Sequence, residues 1–138
     1  MIQEFADAFI QKSPELREKF RKEFPGSYVD IVCSVVELLK GVETGTYVSM
    51  DPDRIIEIDH GDYQGTRLYV IGAEGYQPST YWSVYVNYGS CGGCDSLKSI
   101  RDYSLEYNFE QGRDVPNETA LDDVMSLALH IVQSIKEI

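Results

Sequence analysis

The C-terminal segment carries the pattern that most restricts what this chain can fold into. Its apolar residues recur at intervals of three and four, which places them along one side of an α-helix. The residues of this apolar side are Leu121, Val124, Met125, Ala128, Ile131, Val132 and Ile135. Asn117 stands where a helix cap is expected. A helix with one long apolar side must pack against another layer, and the preceding part of the chain has to supply that layer.

The middle of the chain, residues 46–109, has the period of two that is typical of β-strands. Residues 54–59, 66–71 and 80–88 each have a strand pattern, and residues 103–109 form a candidate fourth strand. The connections between them are short, whereas parallel strands need long crossover segments. We therefore expect an antiparallel sheet.

The first 45 residues have helical patterns. Ser13 followed by Pro14 predicts that a second helix begins there, because proline is favoured at the first helical position. This helix is expected to end at Pro25 and Gly26, and Ser27 begins a third. The sequence thus predicts one α+β domain over residues 1–138. It would contain N-terminal helices, an antiparallel sheet of three or four strands, and a long C-terminal amphipathic helix packed on the sheet.

Charge and composition exclude several classes of function. Twelve basic and 23 acidic residues give a formal net charge of −11, which repels a phosphate backbone, so direct nucleic-acid binding is not expected. No apolar run approaches the roughly 20 residues that cross a bilayer, and the N-terminus has no signal-peptide pattern. We expect a soluble cytoplasmic protein without membrane contact. An odd number of cysteines, three, favours free or metal-bound thiols over disulfides.

Cys91 and Cys94 flank two glycines in the stretch that most suggests chemistry. Two thiols at this spacing can bind one Zn²⁺, and His60 is the best candidate for a further ligand. Thiol redox chemistry is a second interpretation, although the neighbouring Asp95 would raise a thiol pKa. The third interpretation is a structural turn with free cysteines, which we favour. No cofactor is then expected, and a zinc site at Cys91, Cys94 and His60 is the alternative.

Acidic and aromatic side chains are concentrated in the predicted sheet, where most of the ten tyrosines fall. An acidic surface suits a basic protein partner, and exposed aromatic side chains are typical of protein interfaces. The candidate binding residues are Asp59, Asp62, Tyr63, Tyr81, Trp82 and Tyr85. Packing inside the protein is the competing interpretation for the aromatic residues. On the first strand, we expect Glu57 and Asp59 to share the outer, solvated face.

Residues 50–100 also contain three short motifs that occur together in other proteins. They are GDYQGT at 61–66, YQPS at 76–79 and YGSCGGCD at 88–95. In this respect the chain resembles a group of small bacteriophage proteins of unassigned activity, in which serine is expected at Gly92. The resemblance implies a phage or prophage origin and a location in the host cytoplasm. It transfers no catalytic residue.

The sequence predicts a non-enzymatic accessory protein that binds a host or phage protein through an acidic, tyrosine-rich surface. Inhibition of host defence is the narrower expectation, and a homo-oligomer is compatible with it. The alternative is a small zinc- or thiol-dependent protein centred on Cys91 and Cys94.

Overall fold

The computed structural model describes residues 2–41, 49–61, 65–75, 80–88 and 96–138. The helices of this part are α1 (Ile2–Lys22), α2 (Tyr28–Leu38), α3 (Ser96–Tyr103) and α4 (Glu118–Ser134). The strands are β1 (Met50–Gly61), β2 (Gly65–Ala73), β3 (Tyr81–Tyr88), β4 (Leu105–Asn108), β5 (Arg113–Pro116) and β6 (Lys136–Glu137). The predicted α+β fold is confirmed, with N-terminal helices, an antiparallel sheet of four strands and the C-terminal helix packed on it.

Helix α1 runs through Pro14, where the sequence predicted that a new helix begins. Proline lacks the N–H that would bond to the carbonyl of Ile10. The Ser13 hydroxyl donates to that carbonyl instead, at 3.0 Å. Apolar side chains on both sides of the proline, including Phe5 and Phe20, are buried in the same core. The two predicted helices are therefore one.

The helices cover one face of the main sheet. In β2 and β3 the fully buried residues alternate along the chain, namely Tyr69 and Ile71 in one strand and Trp82 and Val84 in the other. These side chains form a single core with the apolar sides of the helices. Because successive side chains of a strand point in opposite directions, the residues between them lie on the other face.

The fourth strand of the main sheet is not the segment that the sequence suggested. The strand order is β1-β2-β3-β6, whereas β4 and β5 form a separate two-stranded sheet. Strand β6 follows α4 directly and pairs with β3 through Trp82–Glu137 and Ser83–Lys136. Two residues are too few to display a period of two, so the sequence pattern could not reveal β6.

We predict that Asn117 stabilises the fold by capping α4. Its side-chain oxygen accepts the N–H of Ala120 at 2.8 Å. Asn117→Ala removes this acceptor and should lower the free energy of unfolding by about 1 kcal/mol, whereas Asn117→Ser keeps an acceptor and should lose much less. Urea denaturation of the three proteins measures the difference. Equal stability of the asparagine and alanine proteins would show that this cap contributes nothing.

Candidate functional site

The face of the sheet turned away from the helices presents apolar side chains to solvent. We call the following six residues the open face: Ile56, Ile58, Leu68, Val70, Tyr81 and Tyr85. The register places Ile58, Leu68 and Tyr85 side by side across three strands. Ile56 is 63% exposed and Tyr85 is 53% exposed. A contiguous apolar surface is more informative than single exposed residues, because surfaces of this kind are common at sites of interaction.

The charged side chains of the main sheet are distributed unevenly between its two faces. Over the regularly paired residues of the sheet, Glu57, Asp59 and Glu137 all project to the opposite side. Two basic residues lie at the margins of the open face, Arg54 beside Gly72 of β2 and Lys136 opposite Ser83 of β3. In a chain with a net charge of −11, the open face itself is apolar, and its margins carry basic side chains together with Asp51 and Asp53 beside Arg54.

A shallow groove lies at the margin of the open face where Gly72 brings β2 close to Arg54. Its lining is formed by Asp53, Arg54, Ile55, Ile56, Val70, Gly72 and Tyr81. The Arg54 guanidinium is held in place, since Nη1 donates to the Ala73 carbonyl at 3.1 Å and Nε lies 3.2 Å from Oδ2 of Asp51. A Cβ atom on Gly72 would lie 3.3 Å from Cβ of Arg54. A larger residue at this position would therefore push against the arginine stem.

Glu57 and Asp59 share one face of β1, but it is the face on the helix side and not the predicted outer face. Asp59 is opposite Arg67, with 3.5 Å between its Oδ2 atom and the arginine Nε. Glu57 is opposite Tyr69, whose side chain is fully buried. Burial raises the pKa of Tyr69, and the neighbouring Glu57 carboxylate adds to this shift.

A register irregularity in β1 explains why the predicted outer face of Glu57 and Asp59 was wrong. The pairing of β1 with β2 shifts between Met50 and Ile55, so that Ile55 packs against the core and Ile56 faces solvent. A one-residue shift exchanges the two faces of a strand, and adjacent isoleucines fit either arrangement. For this reason the sequence pattern missed Ile56 and Ile58 as surface residues. Only the cross-strand register could have identified them.

Trp82 does not belong to the surface that contains Tyr81 and Tyr85. Its side chain is fully buried on the helix side of the sheet, whereas Tyr81 is 41% exposed. Tyr81 and Tyr85 are four residues apart on one strand and therefore share a face, which Trp82 cannot share with them. The predicted binding role of Trp82 is corrected to a role in the core.

Several predicted site residues lie outside the described part of the chain. They are Asp62, Tyr63, Cys91 and Cys94, and of His60 only the backbone in β1 is described. No group of three His, Cys, Asp or Glu side chains within residues 2–41, 49–61, 65–75, 80–88 and 96–138 could hold a metal ion. The zinc site at Cys91, Cys94 and His60 stays a prediction.

The third cysteine, Cys33, lies in a cleft between α1 and α2. Burial is the main cause that raises the pKa of its thiol, and the charges of Asp30 and Glu37 raise it further. The thiolate is the reactive form of cysteine, so this environment makes Cys33 a poor nucleophile. Its side chain is partly buried and forms no disulfide.

Comparisons with known proteins do not assign the chain to a group. No protein family matches it, and neither a curated protein nor a solved structure is similar to it. Among the described helices, none combines the length and the apolar character that spanning a bilayer requires. The exposed apolar side chains of the open face make it the candidate functional site in the described part of the chain.

We predict that neighbouring aromatic residues of β3 differ sharply in their contribution to stability. Trp82→Ala should lower the free energy of unfolding by about 3–5 kcal/mol, because it leaves a cavity in the core. Tyr85→Ala should lower it by less than about 1 kcal/mol, because it removes an exposed side chain. Urea denaturation of both variants checks the assignment of faces. Similar large losses for both variants would contradict it.

Proposed function

We propose that this protein acts without catalysis, by binding another protein through the open face. The observation that supports the proposal is the exposure of Ile56, Ile58, Tyr81 and Tyr85 on one face of a sheet in a strongly acidic chain. Removing apolar surface from water is favourable by about 25 cal/mol per Å². A partner that covers these side chains would remove their apolar surface from water. The complex would be stabilised by this free energy relative to the two separate proteins.

Tyr81 and Tyr85 have the properties of interface anchors. Both lie on β3, whose backbone is held by β2 on one side and, near Tyr81, by β6 on the other. A tyrosine side chain has few rotatable bonds, so its immobilisation in a complex costs little entropy. Large aromatic residues near the centre of an interface often contribute most of the binding energy. Leu68 lies opposite Tyr85 and completes the apolar centre.

The open face is smaller than a complete interface. A stable interface contains roughly 20–30 residues on each side, so the six residues of the open face would form only its centre. The margins would then take part as well, including the basic side chains of Arg54 and Lys136. This arrangement agrees with the usual anatomy of interfaces, in which a polar rim surrounds an apolar centre.

The resemblance to bacteriophage proteins suggests the identity of the partner. We propose that it is a host or phage protein in the host cytoplasm and, more narrowly, that binding inhibits a host defence protein. The net charge of −11 favours a partner with basic regions. The carboxylates that would attract such a partner lie outside the open face, so charge would assist the encounter while the open face supplies the contact.

We predict that capture of a partner depends on Tyr81 and Tyr85. The immobilised protein is incubated with a lysate of phage-infected bacteria, and the retained proteins are quantified by mass spectrometry. Tyr81→Ser with Tyr85→Ser should reduce retention of the partner about tenfold or more, because two anchor residues are lost. The matched control is Tyr103→Ser with Tyr107→Ser, which removes two exposed tyrosines outside the main sheet and should leave retention unchanged.

Circular dichroism and urea denaturation establish first that both double variants are folded. Equal retention by the open-face variant and the unmodified protein would contradict the proposal. The absence of any specifically retained protein at low salt would also count against it.

A further inference from the structure

Strand β1 forms one edge of the main sheet. It pairs with β2 on one side, and no strand of the described chain pairs with its other side. At 12 residues it is much longer than the two-residue strand β6 at the opposite edge. An edge strand presents backbone N–H and C=O groups that can pair with a strand from another molecule. The edge of β1 is therefore a second contact surface beside the open face.

The side chains at this edge alternate in chemistry. Ile56 and Ile58 are exposed on the open face, at 63% and 38%, and Glu57 between them is exposed on the opposite side. A strand added at this edge would place its own side chains directly opposite these three, about 5 Å away between Cβ atoms. The edge thus selects for an apolar residue, a basic residue and an apolar residue in succession.

We propose that β1 binds an extended segment of a partner protein as an additional strand, in which apolar residues alternate with lysine or arginine. The segment would cover Ile56 and Ile58 with apolar side chains and place a basic side chain against Glu57. This inference rests on the proposed function and specifies the partner's recognition element. An added strand is the occupant that contacts both the apolar and the acidic side of β1, which lie on opposite faces of the sheet.

The same charges disfavour a second copy of this chain as the occupant. Antiparallel pairing of two β1 strands about Glu57 would place two glutamates directly opposite each other. Pairing about Ile58 would place Glu57 opposite Asp59. Like charges in directly opposite positions destabilise a strand pair. The net charge of −11 also makes two copies of the chain repel each other. The same charge attracts a basic segment.

Glu57 also suits an edge that must avoid unspecific aggregation. Charged side chains on edge strands prevent pairing with the edges of other proteins. A carboxylate performs this role selectively, because it rejects an acidic strand and accepts a basic one. Glu57 would therefore both prevent unspecific pairing at this edge and select a basic segment.

The inference can be tested with a defined peptide. The probe is an acetylated and amidated seven-residue peptide in which valine alternates with lysine, titrated into the ¹⁵N-labelled full-length protein. We expect saturable binding, chemical-shift changes concentrated at Ile56, Glu57 and Ile58, and slower hydrogen exchange of the β1 amides at the free edge. A peptide with glutamate in place of lysine should not bind. A peptide N-methylated at alternate residues, which cannot pair as a strand, should not bind either.

Protein variants separate local contact from overall charge. Glu57→Lys should weaken binding of the lysine peptide about fivefold to tenfold, because an attractive cross-strand pair becomes repulsive. Glu110→Lys makes the same change of charge in a turn outside the main sheet and should weaken binding less than about twofold. Equal effects of the two variants, or equal binding of the N-methylated peptide, would overturn the inference.

Failure of strand addition at β1 can be distinguished from failure of the proposed function. Tyr85→Ser changes β3, which is separated from β1 by β2, at a side chain outside the groove that Tyr81 shares with Ile56, and should leave the affinity for the peptide unchanged. Failure of the peptide to bind would overturn edge recognition while tyrosine-dependent capture of a partner could still be observed. If the peptide binds but capture of the partner does not depend on Tyr81 and Tyr85, strand addition at β1 is supported. Binding of the partner through the open face is then contradicted.

Discussion

The structure depends on the burial of one side of a sheet whose side chains alternate between two faces. Tyr69, Ile71 and Trp82 are fully buried, and they form a single core with apolar residues of all four described helices. Their neighbours along β2 and β3 must point the other way. Because the described helices contribute to the same core, an exposed sheet face follows from the two-layer architecture. Ile56, Ile58, Tyr81 and Tyr85 make this exposed face apolar.

Acidic residues of the helices form ion pairs that lie away from the open face. At the start of α4, Glu118 accepts hydrogen bonds from Arg17 and Arg21 of α1, both at 2.7 Å, and these partners lower the pKa of Glu118. Exposed ion pairs of this kind connect α1 to α4 but contribute little to stability. The molecule thus has a helical layer connected by ion pairs and a sheet face that is apolar. The two meet at β1, where Glu57 stands between Ile56 and Ile58.

The sequence allowed the architecture to be predicted wherever a hydrophobic period extended over several turns or residues. Helix α4 and strands β2 and β3 are of this kind. The continuity of α1 at Pro14 was not predictable from proline rules, because a hydroxyl from Ser13 replaces the missing donor. For the site, alternation alone separates Tyr81 and Tyr85 from Trp82. The outward direction of Ile56 depends on the irregular pairing between Met50 and Ile55, and that is a property of two strands together.

The most direct test of this account is hydroxyl-radical footprinting of the free protein under native conditions, read out by mass spectrometry for each aromatic residue. The account predicts that Tyr81 and Tyr85 are oxidised at rates close to that of the exposed Tyr103, while Tyr69 and Trp82 are protected. Protection of Tyr81 and Tyr85 to the level of Trp82 would show that this face of the sheet is covered. The open face would then not exist as a binding surface.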